Sequence, residues 1–228
     1  MIGVAQFYAR DIPEAPFPKD ADLLQVLWCP NEHDLYDIWG PAPHLIWRRT
    51  NDLVDVLAEP SMPHHATPDS PHHAPAATLS REAYLPRPCI LHPERVTEYP
   101  YLEELPEQLQ TALDEWDDQT GRHYQSLLSI APGYKIGGRE SWHLTDMYEL
   151  PCNVCGTETQ PLLTIASSEW DGDSQPRWQP LEERHLKWGA PECEETHEPT
   201  MLTLGRYGAL TIFLCPQSAE HGYRLTIQ

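Results

Sequence analysis

Apolar residues in this chain come in short runs closed by proline or glycine, the pattern of buried strands rather than of long helices. Asp22-Leu23-Leu24-Gln25-Val26-Leu27-Trp28-Cys29 lies between Pro18 and Pro30 and predicts a strand in a buried sheet. Residues 43–48 predict its partner, across a turn-rich connection holding Trp39, Gly40 and Pro41. Further on, apolar runs predict strands over 127–130, 134–136, 162–166, 201–204 and 209–214, with Gly137-Gly138 and Tyr207-Gly208 as turn markers. Two segments follow the helical period instead. Thr50 suits the N-cap of a short helix over 51–58, with Leu53, Val54 and Leu57 on one face and Pro60 behind it. A clearer helix is predicted over 106–119, where Leu105, Leu109, Ala112, Leu113 and Trp116 recur every three or four residues and proline opens the first turn.

The opposite face of that second helix is acidic. Glu103, Glu104, Glu107, Asp114, Glu115, Asp117 and Asp118 have no basic residue among them, which suits either a solvated face or a docking surface. Residues 61–77 are rich in proline, histidine and alanine with little to bury, and predict an exposed loop whose His64-His65 and His72-His73 pairs could bind metal only weakly. There is also an internal echo. Leu23-Leu24-Gln25-Val26 followed by His44-Leu45-Ile46-Trp47 resembles Leu162-Leu163-Thr164-Ile165 followed by Leu210-Thr211-Ile212-Phe213. With two copies of low identity, chance produces the same pattern as duplication. These elements predict a β-rich α+β fold, mainly antiparallel sheets in two loosely similar halves with one clear amphipathic helix, forming a single compact unit over 1–228 that divides near residue 100.

Composition narrows the partners. The 228 residues carry 15 basic and 35 acidic side chains, a net charge of −20. Such a balance repels phosphate backbones and anionic membrane surfaces, so nucleic acid and membrane are excluded and a basic protein is the partner that complementary charge would favour. No apolar run reaches the ~18 residues of a membrane span. The opening Met1-Ile2-Gly3-Val4-Ala5-Gln6-Phe7 lacks a basic flank and meets Arg10, Asp11 and Pro13 early, so no signal peptide is expected. Six cysteines without an export signal are expected to be free or metal-bound, in the cytoplasm.

The candidate chemistry lies in those cysteines. Pro151-Cys152-Asn153-Val154-Cys155-Gly156 places two sulfurs on one side of a tight turn, half of a tetrahedral zinc site. Phe213-Leu214-Cys215-Pro216-Gln217-Ser218-Ala219-Glu220-His221 offers the other half, so Cys152, Cys155, Cys215 and His221 are the expected ligands of a structural zinc. Cys193 or His197 could replace either distal ligand, although their acidic surroundings disfavour a thiolate. Cys29 and His33 with Cys89 and His92 have the ligand types of a second site, with nothing in the sequence to show that they converge. Redox catalysis at Cys152/Cys155 needs a helix N-terminus, and an apolar strand-like run follows instead.

No hydrolase elbow, zinc-protease helix or phosphate loop occurs, so no catalytic residue is assigned. Ser167, Ser168, Glu169, Asp171 and Asp173 form an acidic turn that could hold a cation or simply be solvated. Trp142, Trp170, Trp178 and Trp188 either line a groove or fill the core.

Four of these segments also read as successive motifs of one family: Gly133-Tyr134-Lys135-Ile136-Gly137-Gly138, the Cys152 turn, Pro161-Leu162-Leu163-Thr164-Ile165, and Leu204-Gly205-Arg206-Tyr207-Gly208-Ala209-Leu210-Thr211-Ile212-Phe213. They resemble the YwqG-like family of bacterial proteins of unknown function, in its actinobacterial form, best from about Gly133 to the C-terminus. Residues 23–30 and 89–96 resemble it less specifically. The chain departs from the family where Arg139-Glu140-Ser141-Trp142 follows Gly138 in place of a Gly-Gly-Trp-Pro type turn. The resemblance implies a cytoplasmic α+β fold of two related halves and, through neighbouring toxin genes, immunity or partner binding; it carries no enzymatic activity. The expected function is thus an acidic, cytoplasmic protein-binding module on a zinc-stapled scaffold, immunity-like in role. The alternative is an enzyme or small-ligand protein using a tryptophan-lined cleft between the two halves.

Overall fold

The structure is a computed structural model in which residues 1–35, 38–57 and 82–228 are described. The histidine- and proline-rich stretch 61–77 lies outside the described residues. The fold is α+β, with two antiparallel sheets of three and four strands. The chain divides into two compact units, Met1–Pro88 and Cys89–Gln228.

In the first unit β1 (Ile2–Tyr8), β2 (Leu23–Leu35) and β3 (Ile38–Arg48) form an antiparallel meander with β2 in the centre. Leu24, Val26, Trp28 and Pro30 alternate inward along β2, the period-2 pattern of a strand with one buried face. Trp28 is fully buried and its indole N–H donates to the Tyr84 carbonyl at 2.9 Å. β2 and β3 both run further than the prolines suggested. Pro30 sits in the register shift between Cys29 and His33, while Pro41 and Pro43 lie on the edge strand β3. Bulges and edge strands are where a sheet tolerates a missing N–H. The helix expected over 51–58 is reduced to a single 3-10 turn, Thr50–Asp52. The Thr50 hydroxyl donates to Asp22 Oδ2 at 2.7 Å instead of capping a helix, and Val54 and Leu57 are 90% and 75% exposed, so no buried face supports further turns.

In the second unit α1 (Glu107–Thr120) precedes β4 (Lys135–Ile136) and β5 (Gln160–Ala166). The short helices α2 (Gln175–Trp178) and α3 (Pro191–His197) follow, and β6 (Ala209–Leu214) and β7 (Tyr223–Ile227) complete the sheet in the order β4-β5-β6-β7. Residues 162–166 of β5 and 210–214 of β6 are buried without interruption, so these strands are covered on both faces and read as continuous apolar runs. The echoed segments are antiparallel neighbours in their own sheets: Val26 pairs with Leu45, and Ile165 with Leu210. α1 lies within one residue of its expected span and ends at Gly121, whose left-handed φ of 64° lets its N–H reach the Asp117 carbonyl. No α1 residue is buried, and Leu109 is 51% exposed.

Two expected strands are not strands. Residues 125–129 form a helical turn, and 201–204 belong to no strand, with Leu202 and Leu204 buried and the Leu204 N–H given to the Ser167 hydroxyl. A four-residue run with three apolar positions fits a buried turn as well as a strand.

A transverse row of polar residues crosses this sheet. Lys135 pairs with Thr164, Thr164 with Thr211, and Thr211 with Thr226, and the Thr164 and Thr211 hydroxyls lie 3.1 Å apart. Lys135 Nζ donates to Glu98 Oε1 at 2.7 Å, and Glu98 also accepts from the Ala131 and Arg139 backbone N–H groups. A Cβ at Gly138 would strike that carboxylate. The Gly137-Gly138 turn therefore wraps a buried ion pair, and Arg139 at its end supplies one of the donors.

Candidate metal centre

The knuckle is a small hairpin of its own. The Cys152 N–H donates to the Thr157 carbonyl at 2.8 Å and the Gly156 N–H to the Cys152 carbonyl at 2.9 Å, while Pro151 and Glu158 form a β-bridge. Gly156 closes the turn at φ +74°, a conformation costly for other residues. The Val154 N–H points to Cys152 Sγ at 3.4 Å. The second half repeats this device: the Gln217 N–H points to Cys215 Sγ, also at 3.4 Å. Cys215 is the residue after β6, and His221 closes the 3-10 turn Ala219–His221 before β7. The β6–β7 hairpin thus carries two ligands and the knuckle two. Arg224 of β7 braces them by donating to Asn153 Oδ1 at 2.6 Å.

The four ligand atoms all lie within 4.8 Å of one another. Cys155 Sγ is 3.5 Å from Cys215 Sγ, and Cys152 Sγ is 3.6 Å from His221 Nδ1. A tetrahedron with metal–sulfur bonds of about 2.3 Å has edges of about 3.7 Å, so the shortest edges already fit and the longest must close by about 1 Å. The electrostatics also suit a cation. Hydrogen bonds from the Thr157 hydroxyl and backbone lower the Cys155 thiol to about 6, and backbone donation at Cys155 lowers Cys152. Burial pushes Cys215 up, and contact with Cys155 and then Cys152 raises His221. The two knuckle thiols are thus both shifted toward the thiolate a metal ion needs. The residues expected as ligands are brought together, and they can hold a metal ion.

Comparison with known proteins found no matching family model, curated protein or solved structure.

The other candidates fall elsewhere. Cys193 and His197 are buried on α3, where the His197 ring meets the Cys193 carbonyl through Nδ1 at 3.0 Å. Neither belongs to the cluster. Cys29 and His33 lie in the first unit and Cys89 and His92 in the second. The acidic turn after β5 is internally satisfied: Asp171 Oδ1 accepts from the backbone N–H groups of Asp173 and Ser174 at 3.0 and 2.8 Å, and Ser167 is buried, donating to the Gly208 carbonyl.

The tryptophans divide. Trp142 packs edge-on to Tyr148 and Trp178 lies under the Arg177 guanidinium, whereas Trp170 and Trp188 line one cleft inside the C-terminal unit. Sequence reasoning missed the bracing Arg224–Asn153 pair and the Tyr207 wall of that cleft. The only signal for Tyr207 was its place before a turn glycine.

Proposed function

We propose that this protein is a non-catalytic binding module whose C-terminal sheet is stapled by zinc. The observation that carries the reading is the convergence of Cys152, Cys155, Cys215 and His221. Three thiolates and an imidazole in tetrahedral reach favour zinc over the harder divalent ions, and four protein ligands leave no open position for a substrate, as in structural rather than catalytic sites. Six free thiols accord with a reducing compartment such as the cytoplasm. The acidic balance and the exposed acidic side of α1 support a basic protein as partner. An immunity role, masking a basic toxin, is the form of this reading that the resemblance to YwqG-like proteins implies.

Elemental analysis of protein purified without a metal-affinity tag tests the staple. About one zinc per chain is expected, lost together with thermal stability in Cys152→Ser and Cys215→Ser. Full stability with no bound metal would overturn it.

A further inference from the structure

The C-terminal unit contains a cleft of about 230 Å³ walled by Trp170, Trp188, His197 and Tyr207, with the carboxylates of Glu194 and Glu198 on its lining. We propose that this cleft binds a methylated ammonium group, carried by a small molecule or by a lysine side chain. The inference stands on the cleft alone and rests neither on the metal centre nor on the acidic surface.

The walls are aromatic and held in place. The His197 ring lies between two indoles, its centroid 6.0 Å from Trp170 and 4.9 Å from Trp188. Glu198 Oε1 faces His197 Nε2 at 3.2 Å and accepts the Tyr207 hydroxyl, which fixes the fourth ring. Tyr207 has φ +70°, a conformation bulky residues rarely adopt and one that concentrates at ligand-binding sites. Its turn is pinned from behind, because the Gly208 N–H donates to the Leu204 carbonyl and the Ser167 hydroxyl donates to the Gly208 carbonyl. Trp170 itself is 3% exposed, so its ring is held rigidly by the surrounding core.

The lining also selects the ligand. Among the described residues it holds no lysine or arginine and three acidic residues, with Asp171 as the third, so an anion is repelled. The His197 ring nitrogens already face the Cys193 carbonyl and Glu198 Oε1, and among the described residues the side chains that converge as metal ligands are Cys152, Cys155, Cys215 and His221, not these. A primary ammonium needs an acceptor for each of three N–H groups, while Glu198 Oε1 already serves Tyr207 and His197. A methylated ammonium has little or no such demand, and its diffuse charge is stabilised by ring faces.

The test uses the full chain, following tryptophan fluorescence and calorimetry. Choline is compared with its neutral isostere 3,3-dimethylbutan-1-ol, and a trimethyl-lysine peptide with the unmodified peptide. Choline or the methylated peptide should bind saturably, and the neutral or unmethylated counterpart about tenfold more weakly. Binding of choline points to a small-molecule source, and binding of the peptide alone to a protein source. Trp188 is half exposed, so Trp188→Ala should fold with an unchanged melting temperature. It and Glu198→Gln should each weaken binding about fivefold or more, with Trp142→Ala within about twofold of the parent. Failure of both ligands to saturate, equal binding of the isostere and the unmodified peptide, or indifference to both cleft substitutions would overturn the proposal.

Discussion

Glu169 shows how one buried carboxyl sets a pH dependence. It follows β5 with only the Tyr134 backbone N–H stabilising its charge, and burial pushes it up to about 7 from an ordinary 4.5. Gly133 packs against it at φ +80°, where a Cβ would fall on the carboxylate. Because the folded state holds this proton more tightly than the unfolded chain does, Glu169 costs stability progressively as pH rises from about 4.5 to about 7 and by a constant amount above. Glu140, raised by burial to about 6, acts in the same direction over a narrower window. Glu169→Gln keeps an acceptor for Tyr134 and removes the charge. It should be about 2 kcal/mol more stable than the parent at pH 8 and no more stable near pH 4, measured by urea unfolding at both values. An equal difference at the two pH values would show that the charge is not the cause. The sequence displayed Glu169 only as one acid in a turn. Its burial depends on Gly133, thirty-six positions away, and no local pattern reports that.

Among the elements, the β6–β7 hairpin links the candidate site to the fold. At one end Leu214 pairs with Tyr223, directly beside Cys215 and His221; at the other, Ala209 and Gln228 exchange backbone hydrogen bonds. Removing a metal ion held by Cys152, Cys155, Cys215 and His221 should therefore fray the hairpin from one end. Hydrogen exchange after chelation is expected to accelerate at Leu214, Tyr223 and the knuckle residues 152–156, with Leu210 and Ile227 little changed. Uniform acceleration along both strands would mean that the metal supports the whole sheet rather than its end.

The ligands were legible because few residue types bind zinc and their spacing is restricted, and β5 and β6 because strands covered on both faces are apolar throughout. β1 was hidden by Gly3 and Gln6, which break its alternation, and β7 by its five-residue length. The run at 127–130 misled because three apolar residues around Ser129 carry no period. Of the cleft the sequence offered only Trp170 and Trp188 as candidate groove residues; that His197 of α3 and Tyr207 of a turn join them depends on intervening loops that carry no local pattern.

For the whole molecule, charge is the property most directly tied to a partner. A net charge of −20 acts beyond any single contact, and α1 presents Glu107, Asp114, Glu115 and Asp118 on an unburied helix, with His123 beside Asp117 as the basic neighbour of its acids among the described residues. Complementary charge accelerates encounter and discriminates between partners, while short-range packing decides how long the complex lasts. The half-exposed Leu109 beside those acids offers such packing. A basic partner retained from the native host should therefore associate more slowly as salt rises from about 50 to about 500 mM, where the screening length falls from about 14 to about 4 Å. Its dissociation should change less. Reversing charge at Glu107, Asp114, Glu115 and Asp118 together should reduce the association rate about tenfold or more at low salt and leave the melting temperature near that of the parent. A complex whose association rate ignores both salt and those substitutions would place the binding surface away from α1 and remove charge as its basis.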